Sequence, residues 1–178
     1  EADAKILQQR NFEINWALDN SKADTIMFKG YEAKYKPSEV SGIDRLYYDR
    51  NEPYEKKILH FNYYKSTLEI VRPDVYIVPQ SAWRVVERLK NNKVKMTQLT
   101  EDKIYDVEMY YIEDYETGKT PYEGHYLHSD VKVKKVSQEV QFFKGDYWID
   151  MGQPQNRYIV ETLEPQAPDS YFAWNFFD

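Results

Sequence analysis

Cysteine is absent from this chain of 178 residues, which excludes disulfides, thiolate zinc sites and a cysteine nucleophile. No run of about 18 apolar residues occurs, so no segment can cross a bilayer as a helix. Basic side chains are in deficit, 24 against 30 acidic, and the net charge of −6 argues against a nucleic-acid surface. There is no Gly-rich phosphate loop, no Gly-x-Ser-x-Gly frame, no internal repeat and no low-complexity tract. What is abundant is aromatic. Residues of that type make up 16% of the chain, an apolar content that argues against disorder. The length is that of one domain, or of two small ones in close contact, able to bury roughly 70% of its unfolded surface.

Glu1 is not a methionine, and no apolar signal segment precedes the polar start. The sequence stops at Asp178, directly after Tyr171, Phe172, Trp174, Phe176 and Phe177. Together the ends predict a piece of a longer polypeptide.

Along the chain, residues 2–10 suit a short helix. Phe12, Ile14, Trp16 and Leu18 alternate with polar neighbours and predict a strand, and a second is expected over residues 24–35. The stretch 36–56, with Pro37, Gly42, Pro53 and many charges, reads as a long loop pinned by Tyr47 and Tyr48. Residues 57–70 read as one strand, with His60 at a core edge. Val75-Tyr76-Ile77-Val78 is a short apolar strand. Ser81 is the expected N-cap of a helix over residues 82–90, and Val94 and Met96 open the next strand. This strand–helix–strand unit takes a right-handed crossover if its strands are parallel neighbours.

From residue 103 onward the pattern is β, with strands around Ile104–Tyr111 and Tyr126–Val136. Lys144-Gly145-Asp146 reads as a hairpin turn between Val140/Phe142 and Tyr147/Ile149, and Tyr158, Val160 and Thr162 as a further strand. Asp169 is the expected cap of a short final helix in which Phe172 and Phe176 share a face. The predicted fold is mainly β (α+β): an antiparallel β-sandwich-like domain with one internal strand–helix–strand unit and short terminal helices. It is read as one domain over 1–178, with strands and a long loop in 1–70 packed on 71–178.

The candidate chemistry is sparse. His125 and His128 resemble a metal pair, yet residues three apart in a strand point to opposite faces and do not converge. The carboxylates from Glu101 to Glu116 match no calcium-loop spacing and read as a solvated strand face. The 17 tyrosines and four tryptophans open a sugar-binding alternative, while cross-strand packing accounts for most of them. Lys132, Lys134 and Lys135 suit a sheet edge guarded by charge. Within the terminal segment 163–178, Glu164, Asp169 and Asn175 are the polar candidates for a cleft or interface, together with His125 and His128. Phe172, Trp174 and Phe176 are the expected structural anchor.

Several strings together carry a resemblance. They are Phe28-Lys29-Gly30-Tyr31-Glu32-Ala33, Pro37-Ser38-Glu39-Val40-Ser41-Gly42, Leu46-Tyr47-Tyr48-Asp49-Arg50 and Tyr76-Ile77-Val78-Pro79-Gln80. Tyr122-Glu123-Gly124-His125-Tyr126-Leu127-His128 and the whole of 163–178 complete the set. Taken together, the sequence resembles the C-terminal, non-catalytic part of bacterial zinc carboxypeptidase-like proteins of peptidase family M14. The resemblance implies a catalytic domain upstream, which holds the zinc and is absent from this sequence. No catalytic or metal-binding residue transfers to this chain, and no cofactor is expected in it. It further implies export to the periplasm or medium, with the upstream catalytic domain as partner. The accessory role predicts that Trp16, Trp83, Trp148 and Trp174 are mostly buried or line one apolar patch. The alternative from another class is a free-standing carbohydrate-binding β-sandwich module.

Overall fold

The computed structural model describes residues 2–177. Antiparallel sheets dominate, with 51% of residues in strands against 12% in helices, as the alternating patterns predict. The order is α1 (Ala2–Gln8), β1 (Asn11–Leu18), β2 (Asp24–Pro37), β3 (Asp44–His60), β4 (Tyr64–Val71), β5 (Val75–Val78) and α2 (Trp83–Asn91). Then follow β6 (Thr97–Gln98), β7 (Lys103–Thr117), β8 (His128–Phe142), β9 (Tyr147–Asp150) and α3 (Asn156–Leu163). β1 pairs with β4, β2 with β3 and β7 with β8, while β5, β9 and β6 form a three-stranded sheet in that order. The chain divides into two compact units, residues 1–15 with 66–178, and residues 16–65.

The first unit contains the core. Val78 and Ile149 on one face of the three-stranded sheet pack against Val85, Val86 and Leu89 of α2 and Ile159 of α3, joined by Val94 and Tyr171. A second cluster unites Phe12, Ile14, Ile70, Val160 and Ala167. Its polar framework is also buried. Asn156 Oδ1 accepts from the backbone N–H groups of Gly152 at 2.9 Å and Gln153 at 3.0 Å, while Nδ2 donates to the Ile6 carbonyl of α1 at 3.1 Å. The strand–helix–strand unit β5–α2–β6 forms, but β9 runs antiparallel between its two strands, so they are parallel without being neighbours. α2 starts from Ala82 without a side-chain cap, correcting the expected role of Ser81.

The second unit is built differently. Residues 36–56 are not a loop, because β3 takes up most of them and pairs with β2 across the unit. Pro53 is tolerated because it faces Tyr31 at the register shift between Tyr31 and Glu32, where a missing N–H breaks no regular ladder. The expected strand over 57–70 is divided between β3 and β4 by residues 61–63, and His60 is exposed. No residue from 16 to 65 is buried. On the β2–β3 ribbon, Lys34 reaches Asp49 at 3.0 Å and Glu52 at 2.5 Å, and Lys36 lies over the Tyr47 ring, all on one face. The opposite face carries Ala33, Tyr35, Leu46 and Tyr48, all exposed. The polar face is thus better covered than the apolar one.

That inversion shows in the total. The accessible surface is 12759 Å², against about 9,100 Å² for an ordinary folded chain of this mass. Burial therefore reaches about 59% of the unfolded surface rather than the 70% expected from length. The β2–β3 ribbon, in which no residue is buried, contributes to the shortfall.

Three further segments depart from their sequence patterns. Residues 156–163 are helical, not a strand: Asn156, Ile159, Val160 and Thr162 are the buried positions, at helical spacing, and Tyr158 and Thr162 lie on a helix rather than a ladder. Lys144-Gly145-Asp146 is a tight turn but not a hairpin, since β8 pairs with β7 and β9 with β5 and β6. The segment after Pro168 is a succession of turns rather than a helix. Ser170 Oγ, not Asp169, accepts a backbone N–H there, from Ala173 at 3.0 Å.

Candidate functional site

The terminal segment and the Tyr122–His128 stretch meet through rings. The His125 ring lies 4.9 Å from Phe176 and 5.9 Å, edge-on, from Trp174, and Tyr122 is 6.1 Å from Trp174. The His128 ring lies 4.6 Å from Tyr115 and 5.2 Å from Phe172, with Nδ1 3.1 Å from Thr117 Oγ1. Its backbone N–H donates to the Ala173 carbonyl at 2.7 Å. Both histidines therefore join aromatic packing, each in a different group of rings. Among the described residues, no three His, Asp or Glu side chains gather as a metal site requires.

The expected anchor divides along the same lines. Phe172 packs edge-on against Tyr115, whereas Phe176 packs on Tyr171 and under the Arg88 guanidinium, so they do not share one face. Trp174 donates from Nε1 to Asp169 Oδ1 at 3.3 Å. Phe172, Trp174 and Phe176 are half-buried, while the buried members of the segment are Glu164, Pro165, Ala167, Ser170, Tyr171 and Ala173. Asn175 has φ 54° and serves the backbone, a conformation that asparagine adopts more readily than most residues. Asp169 is exposed.

Glu164 has a different setting. It is 2% exposed at the C-cap of α3, and its two oxygens are taken by two strands. Tyr76 of β5 donates to Oε1 at 2.5 Å, and Tyr110 of β7 donates to Oε2. Burial first, then the adjacent Glu164 carboxylate, raises both phenols above the ordinary tyrosine range. Both hydroxyls keep their protons, and the trio is a clasp of two donors on one carboxylate.

The clasp sits on the wall of a cleft of about 1210 Å³. Residues 71–82 form one side, 105–110 and 140–143 the other, and Val85, Lys135, Trp148, Leu163 and Phe177 are among the remaining lining residues. Arg72, 8% exposed, donates to the backbone carbonyls of Leu7, Gln9 and Pro73. Asp146, 3% exposed, closes the cleft's end by accepting from the N–H groups of Gln80 and Phe143. Glu164 is thus the sole polar candidate that the sequence reading and the cleft share. Tyr76, Tyr110 and Arg72 carry no local signal, because Glu164 lies 88 and 54 positions from the two tyrosines, and Gln9 and Leu7 lie 63 and 65 positions from Arg72.

The tryptophans do not form one patch. Trp16 and Trp83 are exposed, Trp148 lies half-buried 5.3 Å from the Tyr105 ring, and Trp174 sits with His125. No helix among the described residues is long and apolar enough to span a membrane. No protein-family model, curated protein or solved structure matches the chain.

Proposed function

We propose that this chain is a non-catalytic accessory part of an exported zinc carboxypeptidase of the M14 type, holding its catalytic domain or shaping access to the cleft of that domain. The family assignment rests on the resemblance of the strings quoted above. The accessory role draws support from the second unit. It has no buried residue, and it displays Ala33, Tyr35, Leu46 and Tyr48 on one uncovered face. A lone two-stranded ribbon is marginal in water, and an apolar face of this kind is typical of a protein contact. The candidate polar side chains are engaged in holding strands and turns together, which suits a structural role.

The test uses the full-length polypeptide. Amide exchange across β2 and β3 should slow when the catalytic domain is present, and deleting this chain should lower that domain's melting temperature. Exchange in β2 and β3 that is the same with and without the catalytic domain would sink the reading.

A second reading, a carbohydrate-binding module, is favoured by one observation. Tyr35 and Tyr48 are 69% and 62% exposed on the same face of the ribbon, where rings can stack on a sugar. Glycan-array signals that Tyr35→Ala and Tyr48→Ala remove would support it over the accessory role.

A further inference from the structure

β5 ends its sheet. Val75–Val78 pair with β9 on one side, and among the described residues their backbone forms no other hydrogen bond. Successive residues of a strand face opposite sides, so a cleft lying on one face touches every second residue. Here the cleft is lined by every residue from 71 to 82 and every residue from 105 to 110. It therefore wraps the open edge of β5, with β7, itself paired on one side only, as the facing wall.

Exposed strand edges are normally guarded by lysine, proline or a bulge. β8 has that guard in Lys132, Lys134 and Lys135. β5 has none: Val-Tyr-Ile-Val presents an uncharged edge, and the Tyr76–Glu164–Tyr110 clasp holds it beside β7.

We infer that the cleft accepts an extended peptide segment of a partner protein as an added strand on β5, with apolar residues alternating with lysine or arginine. Strand addition supplies affinity through the main chain and selectivity through alternate side chains. The charge of the lining selects the sign. Asp74, Asp106 and Glu108 join the buried Asp146 and Glu164 against the two cations Arg72 and Lys135. Arg72 is committed to backbone carbonyls, Lys135 and Glu108 pair at 3.6 Å, and Asp74 pairs with Arg10 at 3.2 Å, so the exposed Asp106 carries most of the selection within a lining whose balance is acidic. A second copy of this chain, at net charge −6, is the less complementary occupant. The inference concerns the first unit alone and does not depend on the carboxypeptidase reading.

The probe is a capped peptide alternating valine and lysine, about eight residues long to match a common strand. Binding is followed by Trp148 fluorescence and by amide exchange. The valine–lysine peptide should bind about tenfold or more tighter than its valine–glutamate counterpart, and the Val75–Val78 amides should exchange more slowly. Methylating every second peptide nitrogen should abolish binding in at least one of the two registers. Asp106→Lys, at an exposed position, should weaken the valine–lysine peptide about fivefold without changing the melting temperature. No binding, equal affinity for both charge types, tolerance of both methylation registers, or protection confined to other strands would each overturn the inference. So would a dimer, formed without peptide, that already protects Val75–Val78.

Discussion

The Tyr76 hydroxyl donates to Glu164 Oε1 at 2.5 Å, although 88 positions separate the two residues. This bond fixes the end of α3 to β5, and its twin from Tyr110 fixes the same carboxylate to β7. Glu164→Ala leaves both phenols without an acceptor inside the fold. Each stranded hydroxyl costs about 1–3 kcal/mol, reduced at the half-buried Tyr110 where water can substitute. Glu164→Gln keeps the volume but turns an amide N–H₂ toward one phenol, and should cost about 1–2 kcal/mol. Urea unfolding should rank parent, Gln and Ala in that order of decreasing stability, and equal midpoints would refute the clasp.

The same contacts predict an alkaline limit. Tyr76, Tyr110 and Tyr171 are all raised above the ordinary tyrosine value, chiefly by burial, with Glu164 adding to the first two and Tyr158 to the third. A group raised in the folded state contributes stability in full below its unfolded value, about 10, and loses it as pH rises. Above that pH the unfolded chain gives up phenolic protons that the native chain keeps, so stability must fall. Tyr76→Phe removes one such group, and the slope of stability against pH above about 10 should become shallower by up to about 1.4 kcal/mol per pH unit. Denaturant melts between neutral and strongly alkaline pH measure it, and an unchanged slope would count against burial of the Tyr76 phenol.

Sequence patterns recovered the elements whose local signal agrees with their packing. β1 and β7 alternate, and α2 places Val85, Val86 and Leu89 at helical spacing on a buried face. They misread elements where two periods coexist. In 156–163, Tyr158, Val160 and Thr162 fit a period of two, while Asn156, Ile159, Val160 and Leu163 fit a helix, and packing on β9 and Phe12's cluster decided for the helix. β3 escaped notice because burial-driven alternation requires a buried face, and the ribbon has none. Of the site, Glu164 was legible as a buried-segment carboxylate, but its partners depend on long-range topology.

The terminal anchor can be located to one residue. Phe172 is one of the expected anchors, yet it is half-buried beside His128, whereas Tyr171 is 5% exposed within the main core. Its hydroxyl lies 2.7 Å from that of Tyr158, and its N–H donates to the Thr162 carbonyl. Tyr171→Ala should cost about 3–5 kcal/mol, in line with other buried aromatic truncations. Phe172→Ala should cost about half of that or less, because part of the ring already meets water. Thermal melts of the two variants test the ranking, and a Phe172→Ala variant less stable than Tyr171→Ala would reverse it.

Glycine substitutions separate the two units. At Gly30 an added Cβ would lie 2.7 Å from Tyr54 Oη and 3.2 Å from Phe28 Cε1. The obstruction is the far end of a tyrosine on an exposed ribbon, so the ring can swing aside. Alanine also suits a strand better than glycine. Gly30→Ala should therefore change local β2 amide exchange by the equivalent of about 1 kcal/mol or less. Gly145 differs on both counts. Its φ of +100° strains any L-residue, and an added Cβ would lie 2.9 Å from Gln80 Oε1. Gln80 is itself held, its Nε2 donating to the Lys144 carbonyl at 3.0 Å and to Asp146 Oδ1 at 3.4 Å. Gly145→Ala should cost about 1–2 kcal/mol from the backbone alone, with the contact added to it. In the double variant Gln80→Ala/Gly145→Ala the contact disappears while the backbone strain remains. The pair should therefore cost less than the sum of the singles, by the share owed to the contact. Strict additivity would show that Gln80 moves freely, and a neutral Gly145→Ala would show that the turn between β8 and β9 does not require the left-handed conformation.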